Sequence, residues 1–212
     1  MADSDLHVVA PLRTRRSQRE ATRTRLLQAA VSVLIEQGVA RTTTLEVQRH
    51  AEVSRGALLH HFPTHAELLS ATVAELVKRN EESVWRERNL RASETDPLAA
   101  AVRTLAAAAS TPSYVAELEL WAVARTDLTL RQALRNAERA ALKERERVMA
   151  DLFGATFFRP GGALAVDLTV EFVRGLALSD VLRTDPTRHD ELIEGWIAAV
   201  NLMLDRVAKP TE

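Results

Sequence analysis

Hydrophobic residues recur every three or four positions along most of this chain, and no long segment alternates polar and apolar residues. This spacing places the apolar side chains on one face of an α-helix. Two stretches show it most clearly: Leu26, Leu27, Ala30, Val31, Leu34 and Ile35, and then Leu68, Leu69, Thr72, Val73, Leu76 and Val77. The pattern predicts an all-α protein.

Capping residues and prolines mark where the longer helices begin. Asp96-Pro97 and Thr111-Pro112 each place a capping side chain before a first-turn proline. They predict helices that start at residues 97 and 112. The longer helices are expected over residues 65–90, 97–109, 112–125, 128–153 and 163–183, with a last helix ending near residue 207. With three shorter helices before residue 65, nine are expected.

Residues 42–69 carry the most specific local signals. Thr43 and Glu46 form a capping box that predicts a helix from residue 44. After a turn at residues 52–54, Ser54 is suited to cap a second helix over residues 55–62. The apolar positions expected to pack this segment are Leu45, Val47, Ala51, Val53, Leu58 and Phe62. Two short helices joined by a tight turn describe a helix-turn-helix.

Composition narrows the class of protein. The chain has 212 residues, of which 46% are hydrophobic, so it can bury a substantial core. It contains no cysteine, which excludes a disulfide framework and a cysteine-ligated zinc site. Neither a signal-peptide core nor an apolar run long enough to span a membrane is evident. We therefore expect a cytoplasmic protein without membrane association.

The charge is unevenly distributed. The net charge is −1, yet residues 1–65 contain nine arginines and six acidic residues. Six of these arginines fall within residues 11–27, which contain one acidic residue. Such a segment is attracted to backbone phosphates, and a solvated tail is the alternative interpretation. Its position before a helix-turn-helix favours contact with DNA.

Residues 19–69 resemble the DNA-binding domain of the TetR family of transcriptional regulators. The resemblance rests on the first amphipathic helix, the threonine pair at 42–43, and the sequences Ala-x-Val-Ser at 51–54, Gly-Ala-Leu at 56–58 and His-His-Phe-Pro at 60–63. It implies a flexible basic arm (1–16), a helix-turn-helix domain (17–65) and a ligand-binding and dimerisation domain (66–212).

The resemblance also implies which residues contact a double-stranded DNA operator. They are Thr42, Thr43, Ser54, Arg55, Gly56, Ala57, Leu59, His60, Thr64 and His65. Four positions depart from the family pattern: Glu52 replaces a turn glycine, Leu59 a tyrosine, His65 a lysine and Gln48 a small residue. We therefore expect the phosphate contacts to shift toward Arg55, His60 and the N-terminal arginines.

The last two helices are unusually apolar and allow two interpretations. They are either core helices of a monomer or the two helices that pair in a homodimer as a four-helix bundle. The family resemblance favours the homodimer, in which two recognition helices read a near-palindromic operator. The interface residues expected are Leu168, Phe172, Gly175, Leu192, Trp196, Ala199, Val200 and Met203.

A small-molecule effector pocket is implied for the larger domain. The candidate lining residues are Trp85, Tyr114, Glu117, Leu118, Trp121, Arg125 and Phe172. Glu117, Trp121 and Arg125 are spaced to share one face of a helix. An ordinary core with a Glu–Arg pair at its rim is the alternative interpretation.

The sequence therefore predicts a ligand-responsive transcriptional repressor that is not an enzyme and uses no cofactor. An all-helical enzyme or carrier with an incidental helix-turn-helix-like segment is the alternative. The sequence lacks the phosphate-binding, zinc-protease and nucleophile motifs that would support this alternative. A metal site at His60, His61 and His65 is disfavoured, because Pro63 interrupts the helix that would align them and no cysteine completes a site.

Overall fold

The computed structural model describes residues 15–183 and 185–208, which form ten α-helices, one 3-10 turn and no strand. The all-α prediction is confirmed. The helices are α1 (Arg15–Gln37), α2 (Thr44–His50), α3 (Arg55–His61), α4 (His65–Leu90), α5 (Pro97–Ala109), α6 (Pro112–Ala124), α7 (Leu128–Phe153), α8 (Ala155–Phe158), α9 (Gly162–Asp180) and α10 (Pro186–Ala208). None of the described helices is long and apolar enough to cross a bilayer.

Two short elements were missing from the sequence prediction. The 3-10 turn Val39–Arg41 follows α1, and the four-residue α8 follows Gly154. Neither is long enough to show a helical hydrophobic period, so the pattern of apolar residues does not reveal them. The predicted helix over residues 163–183 also ends earlier, at Asp180.

The predicted caps are present in the helix-turn-helix. The Thr43 hydroxyl oxygen accepts a hydrogen bond from the Glu46 backbone N–H at 3.2 Å, and Ser54 does the same for Ala57 at 3.1 Å. These bonds satisfy backbone donors that a helix leaves free in its first turn. Thr111 makes no such bond, because its hydroxyl donates instead to the Ala108 carbonyl.

Three hydrophobic clusters hold the helices together, and α4 contributes to all of them. Leu68 lies in the cluster under α1, α2 and α3. Val73 lies in a second cluster with residues of α1, α6 and α7. Val84 packs against the third, which is built from α5, α7, α9 and α10. One helix therefore connects the helix-turn-helix to the larger helical body.

The prediction that the apolar residues of α2 pack in the interior is wrong at one position. Leu45 is 53% exposed, whereas Val47 and Ala51 are buried as expected. Leu45 is two residues before Val47 and therefore lies on the opposite side of the helix.

The predicted arm falls mostly outside the described residues. Arg15 and Arg16, which the sequence analysis assigned to the arm, lie in the first turn of α1. The boundary at residue 65 coincides with the first residue of α4, and the division into domains stays a prediction.

Candidate functional site

The turn between α2 and α3 contains a strained residue. Glu52 has φ of 53°, the left-handed region that favours glycine, and no other non-glycine residue in the described part of the chain has a positive φ. A residue with a Cβ in this region costs about 1–2 kcal/mol. A glycine, which the family pattern has at this position, adopts this conformation without that cost. Val53 follows and packs against the cluster below.

The outer face of α3 is open to solvent. Arg55, Gly56, Leu59 and His60 are exposed, whereas Leu58 and Phe62 are buried in the underlying cluster. A side chain added at Gly56 would have no closer neighbour than the Ser54 Oγ at 4.0 Å. α3 therefore presents a small, basic and unobstructed surface at its N-terminal end.

Thr42 does not belong to this surface. It is only 2% exposed, and its hydroxyl donates to the Gly38 carbonyl at 3.0 Å. The predicted phosphate contact from this hydroxyl is wrong, because the group is buried and already paired. The neighbouring Thr43 is exposed at the N-terminus of α2.

The start of α4 is tied to the same segment. The Nε2 atom of His65 lies 2.9 Å from the Thr42 carbonyl oxygen, so the ring is held against the turn before α2. Thr64 caps α4, and its hydroxyl also lies 3.1 Å from a carboxylate oxygen of Glu67. Exposed Thr64 and His65 are placed at a helix N-terminus, as predicted, but both polar side chains have partners within the protein.

The N-terminal half of α1 lies beside the end of α3. The guanidinium of Arg23 sits over the Phe62 ring, 5.4 Å from its centroid. Burial, together with the nearby charges of His60, Arg19 and Arg23, lowers the pKa of His61. These arginines and the exposed face of α3 therefore form one basic region.

A cavity of about 140 Å³ lies in the larger helical body, between α4, α5, α6, α7 and α9. Four of the predicted pocket residues line it: Tyr114, Glu117, Leu118 and Trp121. Most of the remaining wall is apolar. The polar lining residues that the sequence analysis missed are Asn80, Glu81, Glu138, Arg145 and Arg174. They lie on other helices, and no spacing in the sequence shows that those helices meet there.

Three predicted pocket residues lie elsewhere. Trp85 packs beneath the guanidinium of Arg88. Phe172 stacks on Trp196 with the two rings nearly parallel and 4.7 Å apart. Arg125 caps the end of α6 and is exposed. None of the three lines the cavity.

The polar groups of the cavity form a partly satisfied network. The side-chain N–H of Asn80 donates to a Glu117 carboxylate oxygen at 2.6 Å, and burial raises the pKa of Glu117. The guanidinium of Arg174 lies over the Trp121 ring, 4.4 Å from its centroid. Asn80 Oδ1 and Trp121 Nε1 are buried without a hydrogen-bond partner among the described residues.

Helix α6 connects the cavity wall to the segment before α2. Glu117 faces the cavity, and Glu119, two residues later, accepts a hydrogen bond from the Val39 backbone N–H at 2.9 Å. A Cβ at Gly38 would lie 2.9 Å from the same carboxylate oxygen, which the flexible Glu119 side chain could relieve, but the φ of 81° at this position favours glycine. The contact spans 80 residues of sequence.

The predicted dimer residues fall into three groups by their exposure. Leu168, Gly175 and Ala199 are exposed on α9 and α10. Phe172, Leu192, Trp196 and Met203 are half-buried and pack against the core of the same chain. Val200 is wrong as an interface residue, because it is 1% exposed and faces the interior. Further large apolar residues exposed on these helices are Leu164, Leu178, Leu202 and Val207.

Comparison with known proteins identifies the family. Residues 26–72 match the family model described as bacterial regulatory proteins, tetR family. The chain is 30% identical over 182 residues to the HTH-type transcriptional regulator CymR of Pseudomonas putida, and the match covers 85% of this chain and 89% of CymR. The chain therefore belongs to the TetR family of bacterial regulatory proteins.

A further relative agrees with this assignment, and solved structures share the fold. An uncharacterised HTH-type transcriptional regulator of Mycobacterium tuberculosis is 34% identical over 124 residues; the match covers 58% of this chain and 64% of that relative, slightly under two thirds of its length. The multidrug binding protein EbrR complexed with ethidium has a TM-score of 0.62 at 23% identity, over 84% of this chain and 98% of that one. Salmonella enterica GusR has a TM-score of 0.62 at 19% identity, and the match covers 87% of this chain and 96% of GusR. These structures share the fold.

Proposed function

We propose that this protein is a homodimeric transcriptional repressor that binds a near-palindromic DNA operator and is released from it by a small molecule. The observation that carries the proposal is the exposed, basic N-terminal end of α3, held by two capped helices on a buried cluster. A helix presented in this way fits the major groove of DNA, where side chains reach the edges of the bases.

The contacts with DNA are assigned by exposure and chemistry. Arg55 can form two hydrogen bonds with a guanine, and Gly56 allows the backbone to approach closely. Leu59, which is 39% exposed, can contact a thymine methyl group. Thr43, Ser54 and His60 are exposed beside them and supply polar contacts to phosphates. The arginines of α1 extend this basic region.

A homodimer explains the apolar faces of the last two long helices. Leu164, Leu168, Gly175 and Leu178 are separated by four, seven and three residues, which places them along the exposed side of α9. Ala199 and Leu202 lie on the exposed side of α10. Exposed leucines at helical spacing favour burial against a second copy, and small residues let two helices approach closely. The pairing would place two copies of α3 on one DNA duplex.

The cavity is the proposed effector site. It lies next to α4, which also begins at the helix-turn-helix, and it is lined by α6, whose Glu119 holds the segment before α2. A molecule that displaces either helix changes the position of α3 relative to its partner, which couples the two sites. The structural neighbour EbrR, described as a multidrug binding protein and complexed with ethidium, is an example of a protein of this fold that binds a small molecule.

The test begins with selection of DNA by the full-length protein from a random library. Binding of the selected duplex is then measured by fluorescence anisotropy at fixed salt for the wild type, Arg55→Ala and Arg139→Ala. Arg139 is an exposed arginine on α7, outside the helix-turn-helix. Each guanine contact contributes about 1–3 kcal/mol, so losing both copies should weaken binding about 30-fold or more.

The control variant Arg139→Ala should bind like the wild type, and both variants should remain dimeric. Equal affinity of Arg55→Ala and the wild type for the selected DNA would overturn the role of Arg55. Failure of any sequence to be enriched would overturn sequence-specific binding. A screen of small molecules for release of the bound duplex then tests the effector step.

A further inference from the structure

The cavity leaves one buried acceptor and one buried donor unpaired within the described protein. They are Asn80 Oδ1 on α4 and Trp121 Nε1 on α6, and both side chains line the cavity. We propose that the cavity binds a neutral, single-ring molecule whose polar group both donates and accepts a hydrogen bond, such as an alcohol or a primary amide. This inference rests on the proposed effector site and names the class of ligand that it takes.

The size of the cavity limits the ligand to about one ring. Its volume is about 140 Å³. A cavity of about 150 Å³ in another protein holds benzene, which sets the scale. The walls supply apolar contact from Val84, Leu105, Val148, Met149 and Val173. A ring buried among these side chains would leave only a small polar group to reach Asn80 and Trp121.

A ligand that pairs with both Asn80 Oδ1 and Trp121 Nε1 needs a polar group with a hydrogen-bond donor and an acceptor. The Asn80 oxygen can only accept a hydrogen bond and the indole N–H of Trp121 can only donate one. An ammonium group would pair with Asn80 but leave the indole N–H without an acceptor. A carboxylate would pair with the indole N–H but would lie close to the carboxyl of Glu117. A hydroxyl or an amide can serve both.

The electrostatics of the wall also favour a neutral ligand. Burial raises the pKa values of Glu117, Tyr114 and Glu81, which means that this environment penalises the charged form of each group. The guanidinium of Arg174 is already paired with Glu171 and lies over the face of Trp121, so part of its charge is compensated within the protein. The other charged lining residues, Glu138 and Arg145, are of opposite sign.

The test uses four small probes and the full-length protein in the absence of DNA. Benzyl alcohol is compared by calorimetry with benzylammonium, benzoate and ethylbenzene at pH 7. Benzyl alcohol should bind more tightly than both charged probes. Trp121→Phe should weaken the binding of benzyl alcohol about five- to tenfold, the usual effect of one lost hydrogen bond. The same substitution should change the binding of ethylbenzene much less.

Two further variants complete the design. Asn80→Leu removes the acceptor without adding charge and should also weaken benzyl alcohol selectively. Trp85→Phe is the matched control, because Trp85 lies outside the cavity, and it should leave all four affinities unchanged.

Three results would overturn the assignment. They are a charged probe that binds more tightly than benzyl alcohol, a Trp121→Phe variant that loses the same affinity for benzyl alcohol and ethylbenzene, or no binding of any probe. These outcomes are separate from the proposed function. If benzyl alcohol binds as expected but does not release operator DNA, the ligand class stands and the effector role fails.

Discussion

The exposed face of α9 makes the oligomeric state directly testable through Leu178. This side chain is 61% exposed in the single chain, and it lies on the face proposed to meet the second copy. Complete burial of a leucine contributes about 1.5–3 kcal/mol, so covering its exposed part contributes about 1–2 kcal/mol. Two-fold symmetry doubles this contribution to about 2–4 kcal/mol.

Leu178→Asp removes that contribution and places a carboxylate in an apolar contact, which adds a further cost. The dimer dissociation constant should therefore rise at least about 30- to 900-fold. Sedimentation equilibrium over a range of protein concentrations measures the change directly.

Leu128→Asp is the matched control for this substitution. Leu128 is 71% exposed at the first position of α7, away from the proposed interface, and an acidic residue is favourable in the first turn of a helix. This variant should associate like the wild type. The reasoning is refuted if Leu178→Asp keeps the wild-type dissociation constant, or if the wild type is itself a monomer at micromolar concentration.

Three other substitutions test particular features of the structure. Glu52→Gly should unfold at a higher urea concentration than Glu52→Ala, because only glycine relieves the left-handed backbone at this turn; the reverse order would contradict the strain. Val200→Asp should lower stability by more than about 3 kcal/mol in thermal unfolding, because it buries a carboxylate in the core, whereas Ala199→Asp should leave the fold intact and affect association alone. The raised pKa of Glu117 makes the folded wild type bind more protons than the unfolded chain, so the wild type loses stability as pH rises above 4.5. Glu117→Gln has no proton to lose at this position and should therefore gain stability relative to the wild type over the same range. A stability difference that does not change with pH would contradict the burial of the Glu117 carboxyl.

The helix-turn-helix was readable from the sequence because its signals are local. Thr43, Ser54 and Thr64 each bond to a backbone N–H within three residues, so the cap and its target are adjacent in the chain. The same locality explains why the boundaries of α4 and α5 were predicted correctly.

The lining of the cavity was predicted only in part, because the cavity is assembled from segments that are far apart in the sequence. Tyr114, Glu117, Leu118 and Trp121 all lie on α6 and were among the predicted pocket residues, Glu117 and Trp121 because of their helical spacing. Arg174 on α9 reaches the same place, and no local pattern connects the two helices. Phe172 was also predicted to line the pocket, yet its ring stacks on Trp196 instead.

The sequence by itself determined the helical class, most helix boundaries and the turn that presents α3, because capping and hydrophobic period act over a few residues. The tertiary structure decided which polar groups are free. It buried the Thr42 hydroxyl against Gly38, turned Val200 into the core and left Asn80 Oδ1 and Trp121 Nε1 unpaired beside the cavity. The physical reason is that burial and pairing depend on how helices pack together, and that packing joins residues far apart in the chain.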